Sequence, residues 1–100
     1  MLIAILDFGT TAGDRDRALA QLENERPLVR SMPGNLAFRV YASREDDRTV
    51  TVVHEWTDRA AFAAYLASDA FARSNAVLRP LVIDGPVSRR FSAELLESVA

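Results

Sequence analysis

Two runs with a period of two, Asn35–Ser43 and Thr49–Trp56, joined by the charged segment Arg44–Arg48, constrain this chain more than any other feature. Successive side chains of a strand point to opposite faces, so Leu36, Phe38, Val40 and Ala42 fall on one side and Ala37, Arg39 and Tyr41 on the other. In the second run Val50, Val52, His54 and Trp56 share a face, opposite Thr51, Val53 and Glu55. The two runs form an antiparallel hairpin with a solvated, charged tip. Its faces are both partly apolar, so a single helical layer leaves one of them uncovered.

The flanking segments supply that layer. Met1–Gly9 reads as a buried strand, because Leu2, Ile3, Ile5 and Leu6 form a short apolar run ended by turn-prone residues. Gly13-Asp14 opens a helix with Asp14 as its N-cap, and Leu19, Leu22 and Val29 lie on one side at helical spacing. Pro27 lacks an N–H and its ring collides with the preceding turn, so a kink or break is expected near Glu23–Arg26. Met32-Pro33-Gly34 ends that element. After Trp56, Asp58 caps a helix with Ala61, Phe62, Tyr65 and Leu66 on its inner side. Ser68 caps another, with Phe71, Asn75 and Leu78 on one stripe, and Pro80 stops it. A last extended segment runs through Leu81–Ile83 and Val87–Phe91, bent at Asp84-Gly85-Pro86. Ser92 is positioned to cap a short C-terminal helix over residues 92–100, with Leu95, Leu96 and Val99 apolar.

The order strand–helix–strand–strand–helix–strand is that of an α+β, ferredoxin-like βαββαβ fold with a four-stranded antiparallel sheet. One hundred residues make a single domain, 1–100. Helices cover one face of such a sheet, and a second copy of the chain is the simplest cover for the other, so a homodimer is expected.

Composition removes several function classes. The absence of cysteine excludes disulfides and thiolate metal sites, and a single histidine excludes a multi-histidine site within one chain. A net charge of −2, with Arg89-Arg90 as the only adjacent basic pair, gives no expectation of nucleic acid. The first apolar run reaches Asp7 too soon for a signal peptide or membrane span, so no membrane association and a cytoplasmic location are expected.

Three pieces together resemble the antibiotic biosynthesis monooxygenase (ABM) domain family of dimeric α+β barrels. They are Met32-Pro33-Gly34 running into Leu36–Tyr41, Glu55-Trp56-Thr57-Asp58 followed by Ala61-Phe62 and Leu66-Ala67-Ser68, and Phe71 followed by Leu78-Arg79-Pro80-Leu81. The resemblance spans about Leu2 to Phe91. It implies a homodimer and, for some members, oxidation of polyketide or quinol-type aromatics by O₂ with no metal, haem or flavin. Members usually carry histidine nine residues after the tryptophan, where this chain has Tyr65. Haem-degrading relatives ligate iron through a histidine in the last helix, where this chain has Asn75, a poor iron ligand.

Cofactor-free oxygenation requires an enclosed, electron-rich aromatic, help with proton loss, and donors where negative charge develops. Phe38, Phe62, Phe71 and Leu78 supply candidate walls. Trp56, Tyr65 and Asn75 supply candidate hydrogen bonds, and His54 is the candidate base. Each has a structural alternative: Trp56 as core, Tyr65 and Asn75 bonded to neighbours, His54 as a satisfied strand residue. Arg39 either pairs with Glu55 or anchors a substrate anion. A second reading of the whole chain is a non-catalytic ligand-binding or accessory dimer with a filled core. Which face of the hairpin meets the helices decides between His54 with Trp56 and Arg39 with Tyr41 as the inward set.

Overall fold

The structure, a computed structural model, describes residues 1–100. The strands are β1 (Leu2–Gly9), β2 (Asn35–Ala42), β3 (Thr49–Trp56) and β4 (Asp84–Ser92), and the helices are α1 (Arg15–Arg30), α2 (Arg59–Leu66) and α3 (Asp69–Leu78). The sheet order is β2-β3-β1-β4, with every neighbouring pair antiparallel. This is the expected ferredoxin-like α+β arrangement.

The helices lie on one face. Along β3 the burial alternates, with Val50, Val52, His54 and Trp56 buried, so the hairpin turns His54 and Trp56 inward. In β2 Phe38 stands opposite His54 and Val40 opposite Val52, while Arg39 faces away beside Val53. The register slips between Asn35 and Ala37. Leu36 falls in this bulge and stays exposed instead of joining Phe38 on the inner face. Arg39 donates to Glu55 at 3.1 Å on the outer face.

The capping residues of the second helical pair behave as their types dictate. Asp58 accepts from the Ala61 N–H at 2.8 Å, and Ser68 accepts from the Phe71 N–H at 3.2 Å. Gly34 adopts φ 81°, and a Cβ there would sit 2.6 Å from the Ala61 Cβ, so the turn before β2 and the start of α2 approach as only glycine permits.

Three expectations are corrected. First, α1 runs through Pro27 without the expected break, preceded by a single 3-10 turn. A proline inside a helix costs about 3 kcal/mol, through the lost hydrogen bond and the clash of its ring with the preceding turn. The stripe Ala18, Leu22 and Val29, buried on both sides of the proline, holds the helix on the sheet against that cost. Second, Asp14 occupies the cap position with no side-chain bond, and Thr11 accepts from the Asp14 N–H instead. Third, the C-terminal residues form no helix. Ser92 is the last residue of β4 opposite Leu2, and Ala93 and Met1 exchange backbone hydrogen bonds at 2.8 and 2.9 Å. The ladder therefore claims the backbone that a cap would need. Leu96, 87 % exposed, shows that the tail beyond has no surface to lie on.

The core is asymmetric. Fourteen buried apolar residues gather between the helices and β1, β2 and β3, whereas all nine residues of β4 are exposed. The uncovered face carries Ile3, Ile5, Val53, Tyr41, Val87 and Phe91 among Asp7, Arg39, Glu55 and Arg89.

Candidate active site

Strand alternation sends His54 and Trp56 inward from β3. The caps of α2 and α3 then aim Phe62, Tyr65, Phe71, Asn75 and Leu78 back toward them. A cavity of about 500 Å³ lies between these helices, α1 and the β1/β4 side of the sheet. Of the residues expected to build a site, His54, Phe62, Tyr65, Phe71, Asn75 and Leu78 line it. Phe38, Arg39 and Trp56 do not. Phe38 is spent on the core edge-on to His54, with ring centroids 5.7 Å apart. Arg39 lies on the opposite face with Glu55, so its expected role as an anion anchor is withdrawn. Trp56 is fully buried behind the lining and acts on it through its neighbours.

That action is specific. The Trp56 indole N–H donates to His54 Nδ1 at 2.9 Å. Indole nitrogen can only donate, so Nδ1 must be the bare nitrogen and the ring proton sits on Nε2. No buried side-chain polar atom lacks a partner, and His54 bonds only through Nδ1, so Nε2 reaches the open cavity. Burial, and secondarily the charge of Arg90, holds the His54 pKa down to about 4. Near neutral pH the residue is therefore a neutral N–H donor facing the cavity. The expectation that His54 serves as the base is corrected: its lone pair is already taken by Trp56.

The buried carboxylate that the sequence reading missed is Glu25 of α1, only 4 % exposed. Tyr65 donates its hydroxyl to Glu25 Oε1 at 2.9 Å, and Ser74 donates to Oε2 at 2.6 Å. Burial raises the Glu25 pKa above the ordinary carboxylate value, and these two hydrogen bonds offset part of the rise. Tyr65 is pushed up by burial and by the adjacent carboxylate, so it stays a protonated donor. A signal was present: Glu25 stands three residues after Leu22 and four before Val29, inside the apolar stripe.

Around these polar groups the walls are aromatic. Tyr65 stacks on Trp56 with centroids 5.2 Å apart and meets Phe71 edge-on at 5.2 Å. Asn75 lines the cavity, and its amide bonds to nothing in the chain; no polar atom of it is buried without a partner, so the amide faces open space. The alternative of an amide tied to a neighbouring helix is not what the structure contains. A core filled to within a water-sized void is likewise absent.

The fold and this half-enclosed, aromatic-walled cavity define a small α+β domain of the ferredoxin-like type. The family model for the antibiotic biosynthesis monooxygenase family matches residues 1–77, and the chain belongs to that family. No curated protein matches the sequence significantly. Solved structures agree on the fold. A proposed antibiotic biosynthesis monooxygenase from Deinococcus radiodurans superposes with a TM-score of 0.90 at 17% identity, covering 100% of this chain and 99% of its own. One from Nitrosomonas europaea gives 0.87 at 12% identity, covering 93% and 98%. A protein from Shewanella oneidensis gives 0.83 at 25% identity, covering 90% and 87%. No helix is long and apolar enough to cross a membrane.

Proposed function

We propose that this protein is a cofactor-independent monooxygenase acting on a hydroxylated aromatic, polyketide or quinol-type small molecule, working as a homodimer. The observation that carries the reading is one aromatic-walled cavity of about 500 Å³ that holds a neutral imidazole N–H and a buried carboxylate of raised pKa.

The roles follow from the two groups' states. Phe62, Phe71 and Leu78 hold the ring of the substrate away from water. His54 Nε2–H and the Asn75 amide donate to the substrate oxygen on which negative charge develops, a task suited to a neutral donor of fixed tautomer. Glu25, its position fixed by Tyr65 and Ser74, accepts the proton the substrate loses; a carboxyl of raised pKa is better matched to that task than an ordinary one. The deprotonated aromatic then supplies the electrons. With anthrone, one oxygen of O₂ enters the methylene carbon as a carbonyl and the other leaves as water with the two displaced hydrogens. Trp56 positions His54 and touches nothing in the cavity.

Oxygen uptake with anthrone and hydroquinone substrates tests the reading. Glu25→Gln is expected to lower kcat by about 10²- to 10⁴-fold, the usual range for loss of a general base. Ligand binding and folding should be retained in that variant. Uptake unchanged by both Glu25→Gln and Asn75→Ala would sink the assigned mechanism.

Dimerisation is supported by the exposed β4 and the mixed apolar outer face. Light scattering at micromolar concentration should report twice the chain mass of 11.1 kDa, and a monomer would refute the dimer.

A further inference from the structure

Three charged residues line the cavity, Glu25, Arg79 and Arg90, and they do not neutralise one another. Both carboxylate oxygens of Glu25 are engaged by Tyr65 and Ser74. Arg17, Arg26, Arg39 and Arg89 each pair with an acidic side chain, but Arg79 and Arg90 pair with none. Arg90 is also aimed with care. It stands opposite Ala4, a fully buried residue of the inner face, so the strand sends its side chain to the helix side of the sheet. Its guanidinium lies 4.9 Å from the Phe62 ring centroid, and its one side-chain bond is a long 3.3 Å contact from Nε to Ser88 Oγ. The terminal nitrogens are left free.

We infer that the cavity selects an aromatic ligand bearing a carboxylate, which the Arg90 guanidinium pairs while the ring enters between Phe62 and Phe71. A guanidinium presents two parallel N–H donors that match a carboxylate in shape as well as charge. Seated on an aromatic ring at the rim of a half-enclosed space, it loses less of its attraction to solvent and salt than a free surface arginine. Its field already reaches the interior, where it contributes to the depressed pKa of His54. Arg79 adds a second positive charge to the same cavity. The aromatic body of the ligand rests on the oxygenase reading above, and the experiment separates the two.

Binding of 2-naphthoate and of neutral 2-naphthamide, neither of which is turned over, is followed by Trp56 and Tyr65 fluorescence. The wild-type protein should bind naphthoate at least about tenfold more tightly than naphthamide, a preference that weakens with added salt. Arg90→Gln should bring the ratio close to one while leaving naphthamide affinity unchanged, which also shows that the variant is folded. Arg90→Lys should keep part of the preference. Equal wild-type affinities, no binding of either compound, or a preference that survives Arg90→Gln overturns the inference. An intact naphthoate preference beside absent O₂ uptake would remove the oxygenase reading alone.

Discussion

The inner strand β3 and the edge strand β4 are of similar length and meet opposite fates. At β3, the inward residues Val50, Val52, His54 and Trp56 are all buried, because α1, α2 and α3 roof the β2–β3–β1 side. At β4, every residue is exposed, although Val87 and Phe91 are as apolar as those of β3. The covered side holds a set of side chains whose protonation states are dictated by burial and by each other. The open side supplies charge, Arg90 above all, and buries no side chain of its own. Chemistry that needs a fixed proton belongs on the first, and recognition of a ligand from solvent belongs on the second.

Removing the indole should expose the contrast most strongly. Trp56→Ala deletes a fully buried ring and the donor to His54, and is expected to cost about 3–5 kcal/mol in urea unfolding. A loss below about 1 kcal/mol would mean the covered side is not packed as described.

Acid should act on the same side. His54 has its pKa lowered to about 4 from an ordinary 6.5, so the native state holds fewer protons than the unfolded chain between those values. Stability is therefore present above pH 6.5 and falls as the pH drops toward about 4, by up to ~3 kcal/mol. Glu25 works with the opposite sign: its raised pKa makes the native state hold more protons, so its share of stability falls as pH rises above the ordinary value of 4.5. Denaturation curves across this range should flatten in His54→Gln and steepen in Glu25→Gln. Parallel curves in all three proteins would show that neither group is held as described.

Tyr65→Phe leaves Glu25 with one donor fewer and should cost about 1–3 kcal/mol, while moving the Glu25 pKa further up. Titration of the Glu25 carboxyl by NMR checks the shift, and an unmoved value would detach Tyr65 from it.

The smallest effect is expected on the open side. Phe91→Ser, at a site 44 % exposed, should change the stability of the isolated chain by no more than about 1 kcal/mol. A larger loss that depends on protein concentration would show β4 covered by a second copy, and the contrast between the two strands would then describe the single chain alone.

Much of the fold was legible because its signals are local. Period-two alternation placed β2 and β3, and Asp58 and Ser68 announced α2 and α3 by the oxygen each offers to a free N–H. The same spacing put Phe62, Tyr65, Phe71, Asn75 and Leu78 on one side. Local rules misled where a competing contact lay elsewhere in the chain. Pro27 argues for a break until the buried stripe of α1 is weighed against it, and Ser92 looks like a cap until Leu2 claims its backbone.

The site divides along the same line. Residue types and spacing were enough to establish which side chains share a face, since that depends only on the geometry of a helix or strand. Whether Glu25 faces water or a tyrosine 40 positions away and a serine 49 positions away depends on how α1 docks. The tautomer of His54 depends on the fold in a different way, through the burial that leaves the Trp56 N–H no partner but its neighbour on the strand. Only the assembled structure removes water from these groups, and without water each polar atom must choose a protein partner. That choice turned a presumed base into a donor and an unremarked glutamate into the candidate base.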